Sequence, residues 1–200
     1  MAMLFIYDHS IGEFHCAYGP LSHGPMEMRA FWQGHGGYLA WSDQRLLSAY
    51  KAVCQAFGPV WIGAGFKRAV RGQSAHYAGL ALDMGHSMPA SERAALRRFC
   101  LQSPLFSYVE PSFLTPTWVH AEISIAPPCV PGRGYPSLRL GDAGPHIFVL
   151  QEHLCRLGFP CLLSGHFTNS TRAALVRYQR GHGLPPHGFV DGVTWNSLTL

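Results

Sequence analysis

Between Ser42 and Phe57 the apolar residues fall at Leu46, Leu47, Tyr50, Val53 and Phe57, a three-and-four spacing that lines one face of a helix. Ser42 is expected to cap this helix and Gly58 to close it. Val60-Trp61-Ile62 then reads as a strand, Gly63 to Arg68 as a loop, and Leu80-Ala81-Leu82-Asp83-Met84 as a short buried strand. Ser91 to Leu101 is a second helix, capped by Ser91 or the residues just before it. Tyr108-Val109-Glu110 leads through a loop punctuated by Pro111 and Pro116 into Trp118-Val119-His120-Ala121-Glu122-Ile123, a β-prone run with polar residues at alternate positions. Side chains two apart on a strand share a face, so His120 and Glu122 are expected to point the same way. Residues 8 to 40, rich in Gly, His and aromatics, show no clean period and read as irregular strands and loops. Short strands backed by helices make a small α+β domain.

After Pro127 the pattern changes. A run of Pro and Gly to Gly134 reads as a linker, placed at 129–134, between a domain at 1–128 and another at 135–200. The second part shows a helix through Ile147, Leu150, Leu154 and Leu157, stopped at Gly158-Phe159. A second helix runs through Ala174, Leu175, Tyr178 and Gln179, and a short third one through Val193 to Leu198. This part is expected to be a three-helix, all-α unit.

With 200 residues and 48% hydrophobic content, the chain has room for one medium domain or two small ones. Charged residues are 13%, and the net charge of +4 comes without any basic run of the kind that binds nucleic acid. The apolar patch from Met1 to Tyr7 is too short to span a membrane and lacks a basic lead-in and a cleavage site, so neither a signal peptide nor a membrane span is expected. Six cysteines, at 16, 54, 100, 129, 155 and 161, form no C-x-x-C pair. Cys155 and Cys161 flank a helix end and are read either as a disulfide or as free thiols.

The candidate chemistry lies between Ser74 and Asp83. His76 and Asp83 are two metal-type ligands seven residues apart around Gly79. As one helix this stretch would hold their Cα atoms ~10 Å apart, and fully extended more than ~20 Å apart. Both reach one ion if the chain turns between them, and Gly79 is the expected hinge because glycine tolerates positive φ. A catalytic zinc site takes three protein ligands and one water, and His120 is the candidate for the third. The other ten histidines are expected on the surface or as satisfied core residues.

The set Ser74, His76, Gly79, Ala81 and Asp83, followed by Trp118-x-His120-x-Glu122, resembles the zinc D-Ala-D-Ala carboxypeptidases and the related phage and bacterial endopeptidases that cut peptidoglycan stem peptides. The resemblance covers roughly the first 128 residues. It implies Zn2+ held by His76, Asp83 and His120 in a small domain with a short antiparallel sheet backed by helices. It also marks Lys67, Arg68, Ser74, Tyr77 and Trp118 as candidate substrate contacts. The family carries an arginine for a substrate carboxylate where this chain has Lys67, and a lysine is a point charge without the bidentate fork. Several members place an acid three residues before the last histidine ligand, where this chain has Thr117. Glu122 is therefore the first choice as proton carrier and Glu110 the second.

Leu138-Arg-x-Gly141-Asp142, Leu157-Gly-Phe159, Phe167-x-x-x-Thr171, Tyr178-Gln179 and Thr194-Trp195-x-x-Leu198 resemble the three-helix peptidoglycan-binding domain. Two Asp-Gly pairs usual there read Ser164-Gly165 and His187-Gly188. The two resemblances together imply a zinc-dependent hydrolase of peptidoglycan stem peptides, either a D,D-carboxypeptidase or an endopeptidase, in the bacterial cell wall or outside the cell. Its partner would be peptidoglycan, with no nucleic acid. The alternative is a non-catalytic peptidoglycan-binding protein with a structural zinc site.

Overall fold

The computed structural model describes residues 3–17, 39–69, 71–123 and 134–200. Residues 129–133 of the linker expected at 129–134, Cys129 among them, and residues 18–38 of the irregular stretch expected at 8–40 lie outside the described residues.

Strands β1 (Met3–Asp8), β2 (Glu13–Ala17) and β3 (Leu39–Asp43) form one sheet in the order β2-β1-β3, antiparallel between β1 and β2 and parallel between β1 and β3. Helix α1 (Gln44–Phe57) follows β3 directly. Its cap is Asp43, whose carboxylate accepts from the Arg45 amide at 2.9 Å, rather than the expected Ser42. Ser42 lies within β3 instead, donating its hydroxyl to the Gly79 carbonyl at 2.8 Å. A second, fully antiparallel sheet has the order β4-β5-β7-β6, from β4 (Ile62–Ala64), β5 (Ala81–Met84), β6 (Tyr108–Val109) and β7 (Val119–Glu122). The strand expected at Val60-Trp61-Ile62 begins only at Ile62, since Trp61 is 60% exposed and the Val60 carbonyl is taken by the Tyr50 hydroxyl. Helix α2 (Ala90–Gln102) packs behind this sheet.

Alternation along the strands separates two faces. Val119 and Ala121, with Leu82 and Met84 on β5, are buried in the core, and His120 and Glu122 point to the other side.

Three helices follow: α3 (Pro145–Arg156), α4 (Asn169–Gly181) and the short α5 (Gly192–Leu198). Thr168 and Asp191 cap α4 and α5 through their side-chain oxygens. None of the described helices is long and apolar enough to cross a membrane. Cys155 and Cys161 are free thiols, with Cys155 donating to the Cys161 carbonyl at 3.3 Å.

The three helices share one core with the sheets. Trp41 of β3 is fully buried, stacks on Phe148 of α3 with centroids 5.2 Å apart and planes at 9°, and meets Phe66 edge-on at 4.9 Å. Phe148 also touches Phe5 and Phe14 of the first sheet.

Candidate metal centre

The chain makes one helical turn between the first two candidate ligands. The Ala78, Gly79 and Leu80 amides donate to the carbonyls of Ser74, His76 and Ala75 at 3.0, 3.1 and 2.9 Å. Gly79 then reverses the chain at φ 70°. Its α-carbon lies so close to β3 that an added Cβ would fall 2.0 Å from the Trp41 carbonyl oxygen. Only glycine satisfies both conditions. The chain next enters β5, where Asp83 lies directly across from His120 on β7.

His76, Asp83 and His120 thus converge from a turn and two strands. His76 Nε2 lies 3.2 Å from His120 Nδ1 and 3.3 Å from Asp83 Oδ1, and His120 Nδ1 lies 2.8 Å from Asp83 Oδ1. Zinc–ligand bonds of ~2.0–2.1 Å at tetrahedral angles set neighbouring donors roughly 3.3 Å apart. The triangle therefore has the size and the N, N, O composition that a zinc ion takes. The two remaining ring nitrogens are also committed. His76 Nδ1 donates to the Gly65 carbonyl at 2.6 Å, an acceptor only, which leaves Nε2 free of a proton toward the triangle. His120 Nε2 donates to Glu122 Oε1 at 3.0 Å, which directs Nδ1 inward in the same way.

Burial opposes a charge on His120, but hydrogen bonds to Asp83 and Glu122 and their negative charges outweigh it and raise its pKa to about 9. Burial likewise penalises the Asp83 carboxylate, and its close contacts with the His120 and His76 rings overcome that, holding it well below the usual carboxylate range. The two carboxylates thus favour a positive charge on His120.

Glu122 is on the ligand face, as the alternation predicts, but its oxygen engages the far side of the His120 ring. Glu110 follows β6 and lies across from His120, its amide donating to the His120 carbonyl at 3.0 Å. Trp118 is half-buried and stacks on His86, with centroids 5.5 Å apart and planes at 6°. The Lys67 amide donates to the His76 carbonyl at 3.3 Å.

Two expected substrate contacts face away from the triangle. Tyr77 is fully buried and its hydroxyl donates to Glu152 of α3. Arg68 donates to the other Glu152 oxygen at 2.8 Å and to the Leu39 carbonyl at 2.6 Å, with its guanidinium over Trp41 and Phe66. Ser74 is held by its backbone, its amide donating to the Tyr135 hydroxyl and its carbonyl accepting from it, both at 2.9 Å.

A further residue shapes the site without any mark in the sequence. Arg97 of α2, 9% exposed, donates to the carbonyls of Glu110, Thr115 and Trp118, the last two at 2.7 and 2.6 Å. It thereby pins the whole proline-punctuated loop that delivers His120. A single arginine on an amphipathic helix carries no signal of this role.

Residues 143–198 match the family model described as "Putative peptidoglycan binding domain". Among solved structures, a peptidoglycan-binding protein from Clostridioides difficile in complex with glutamine hydroxamate is 28% identical over 32% of this chain, with a TM-score of 0.32. The match covers 40% of that protein's chain. No curated protein matches the chain. The C-terminal part is thus similar to peptidoglycan-binding domains.

Proposed function

We propose that the chain is a zinc-dependent hydrolase of peptidoglycan stem peptides, placed on the bacterial cell wall by its C-terminal part. The observation that supports the zinc reading most is the triangle of His76 Nε2, Asp83 Oδ1 and His120 Nδ1, with edges of 2.8 to 3.3 Å. A Zn2+ ion held there supplies Lewis acidity toward a peptide carbonyl and toward the attacking water.

Two carboxylates divide the remaining work. Glu122 keeps the proton on His120 Nε2 and so keeps Nδ1 available as a ligand, the role carboxylates commonly take behind a ligating histidine. Glu110, opposite His120 across the strand pair, takes the proton from water and passes it to the leaving amine. Lys67, adjacent to His76 through the backbone, is the cation for a substrate carboxylate, and the His86–Trp118 stack offers a flat wall. Similarity of residues 143–198 to peptidoglycan-binding domains supports contact with the wall polymer. That contact raises local substrate concentration without altering the chemistry.

A second reading is a peptidoglycan-binding protein with a structural zinc site. It is favoured by Thr117 in place of an acid and by the engagement of Glu122 with a ligand rather than with open space. Purified peptidoglycan incubated with zinc-loaded wild type, with chelated protein and with Glu110→Gln separates the two. Metal-dependent release of D-Ala or free stem peptides, lost in Glu110→Gln, is the expected result. A zinc-loaded wild type that releases nothing would leave the binding reading.

A further inference from the structure

The turn that carries His76 is gripped from both sides by residues of the C-terminal part. Two residues before His76, the Tyr135 hydroxyl both accepts from the Ser74 amide and donates to the Ser74 carbonyl. One residue after His76, the Tyr77 hydroxyl ends on Glu152 of α3, and Glu152 is itself fixed by Arg68 at 2.8 Å. The residues leading into the turn are tied in the same way. The Gly72 amide donates to the Thr199 carbonyl at 2.7 Å, and Gln73 donates to Asn196 of α5 at 3.3 Å and accepts from the Tyr135 amide.

Tyr135 is in turn wedged by its ring between His146 of α3 and Trp195 of α5, at 5.0 and 4.9 Å. Trp195 closes the set by donating to the Pro136 carbonyl at 2.7 Å. Both ends of the Ser74–Tyr77 segment are therefore set by groups whose own positions depend on α3 and α5. Asp83 and His120 need no such help, because they face each other across two paired strands. His76 sits outside the sheet, and its place beside the other two donors is set by the turn together with the hydrogen bond from its Nδ1 to the Gly65 carbonyl.

We infer that the C-terminal part is a structural component of the metal centre, with Tyr135 and Glu152 as positioning residues that hold the His76 turn in its ligating geometry. The inference rests on the zinc reading of His76, Asp83 and His120 for its affinity readout, and on hydrogen bonding alone for its second readout. On this account the C-terminal helices are more than a wall tether: metal uptake depends on their docking.

The test uses the full chain with Tyr135→Phe, which keeps the ring between His146 and Trp195 and deletes the hydroxyl, and with Glu152→Gln as a second variant. Zinc affinity is measured by competition with a chromophoric chelator. Amide hydrogen exchange is followed in metal-free protein at Ala78, Gly79 and Leu80, with the amides of Ala174 and Leu175 in α4 as a control for global folding. The expected result for Tyr135→Phe is zinc binding about tenfold weaker or more, and faster exchange at residues 78–80 with α4 unchanged. Glu152→Gln, a weaker acceptor for Tyr77, is expected to shift both readouts in the same direction. Zinc affinity within twofold of wild type in both variants, with exchange at 78–80 unaltered, would overturn the inference. A wild type that takes up no zinc would sink the proposed function, and the exchange measurement would then decide the positioning role by itself.

Discussion

At the residue scale, Glu122 on β7 and Glu110 just after β6 are proposed to do different work. Glu122 faces the outer nitrogen of His120, so Glu122→Gln is expected to weaken zinc binding by about 10–100-fold, the usual cost of losing a partner behind a metal ligand. Glu110→Gln is expected to keep its zinc and lose turnover by about 100-fold or more. Metal titration beside product analysis on both variants checks the division, and reversed effects would exchange the two roles. The approach of His76 to Asp83 was legible in the sequence through residue type, spacing and the Gly79 hinge, whereas His120 entered as a β-prone candidate that the motif resemblance singled out. The direction of Glu122 was legible as well, since a period of two fixes the face of a strand. What Glu122 touches was not, because the period says nothing of how the His120 ring is turned. Arg68 and Tyr77 were illegible for a different reason: their partner, Glu152, lies on a helix 84 and 75 residues further along the chain.

At the scale of elements, the helices and the ligand-bearing strands followed from local pattern, with shifts of a residue or two where a cap or an exposed side chain decided the boundary. The first sheet did not. Its central pairing joins β1 to β3 in parallel across a long connection, and residue alternation within one strand carries no information on such a partner. The loop from Pro111 to Trp118 is likewise shaped from outside, by Arg97. Arg97→Met would leave buried carbonyls unpaired and is expected to cost ~2–4 kcal/mol of stability. Denaturant unfolding measures the loss, and limited proteolysis is expected to cut first between Glu110 and Trp118. A variant as stable and as resistant as wild type would show that the loop holds itself.

At the scale of the whole molecule, the sheets and the C-terminal helices unfold together if the shared core is what holds them. Phe148 stacks on Trp41 and touches Phe5 and Phe14, so Phe148→Ala is expected to cost ~3–5 kcal/mol and to lower one common transition, seen by fluorescence and calorimetry alike. Two separated transitions, only one of them moved, would contradict this. The same interface predicts acid sensitivity. Burial lowers the pKa of His146 to about 3 and that of His153 to about 4. Both are neutral in the folded chain, while the unfolded chain takes up protons below ~6.5. Their contribution is therefore fully present above pH ~6.5 and is lost as the pH falls toward 4 and then 3. At pH 5 each group accounts for up to ~2 kcal/mol of lost stability. Chemical denaturation at pH 7 and pH 5 checks the slope, and His146→Phe is expected to flatten it.

The most direct measurement is the zinc content of the purified 200-residue chain by mass spectrometry under native conditions, wild type beside His120→Ala. One zinc per wild-type chain and none in the variant is the predicted result, because removing His120 takes away one donor and the partner of both Asp83 and Glu122. Wild-type protein that stays metal-free after reconstitution with zinc, or a His120→Ala variant that holds zinc as well as wild type, would contradict the account.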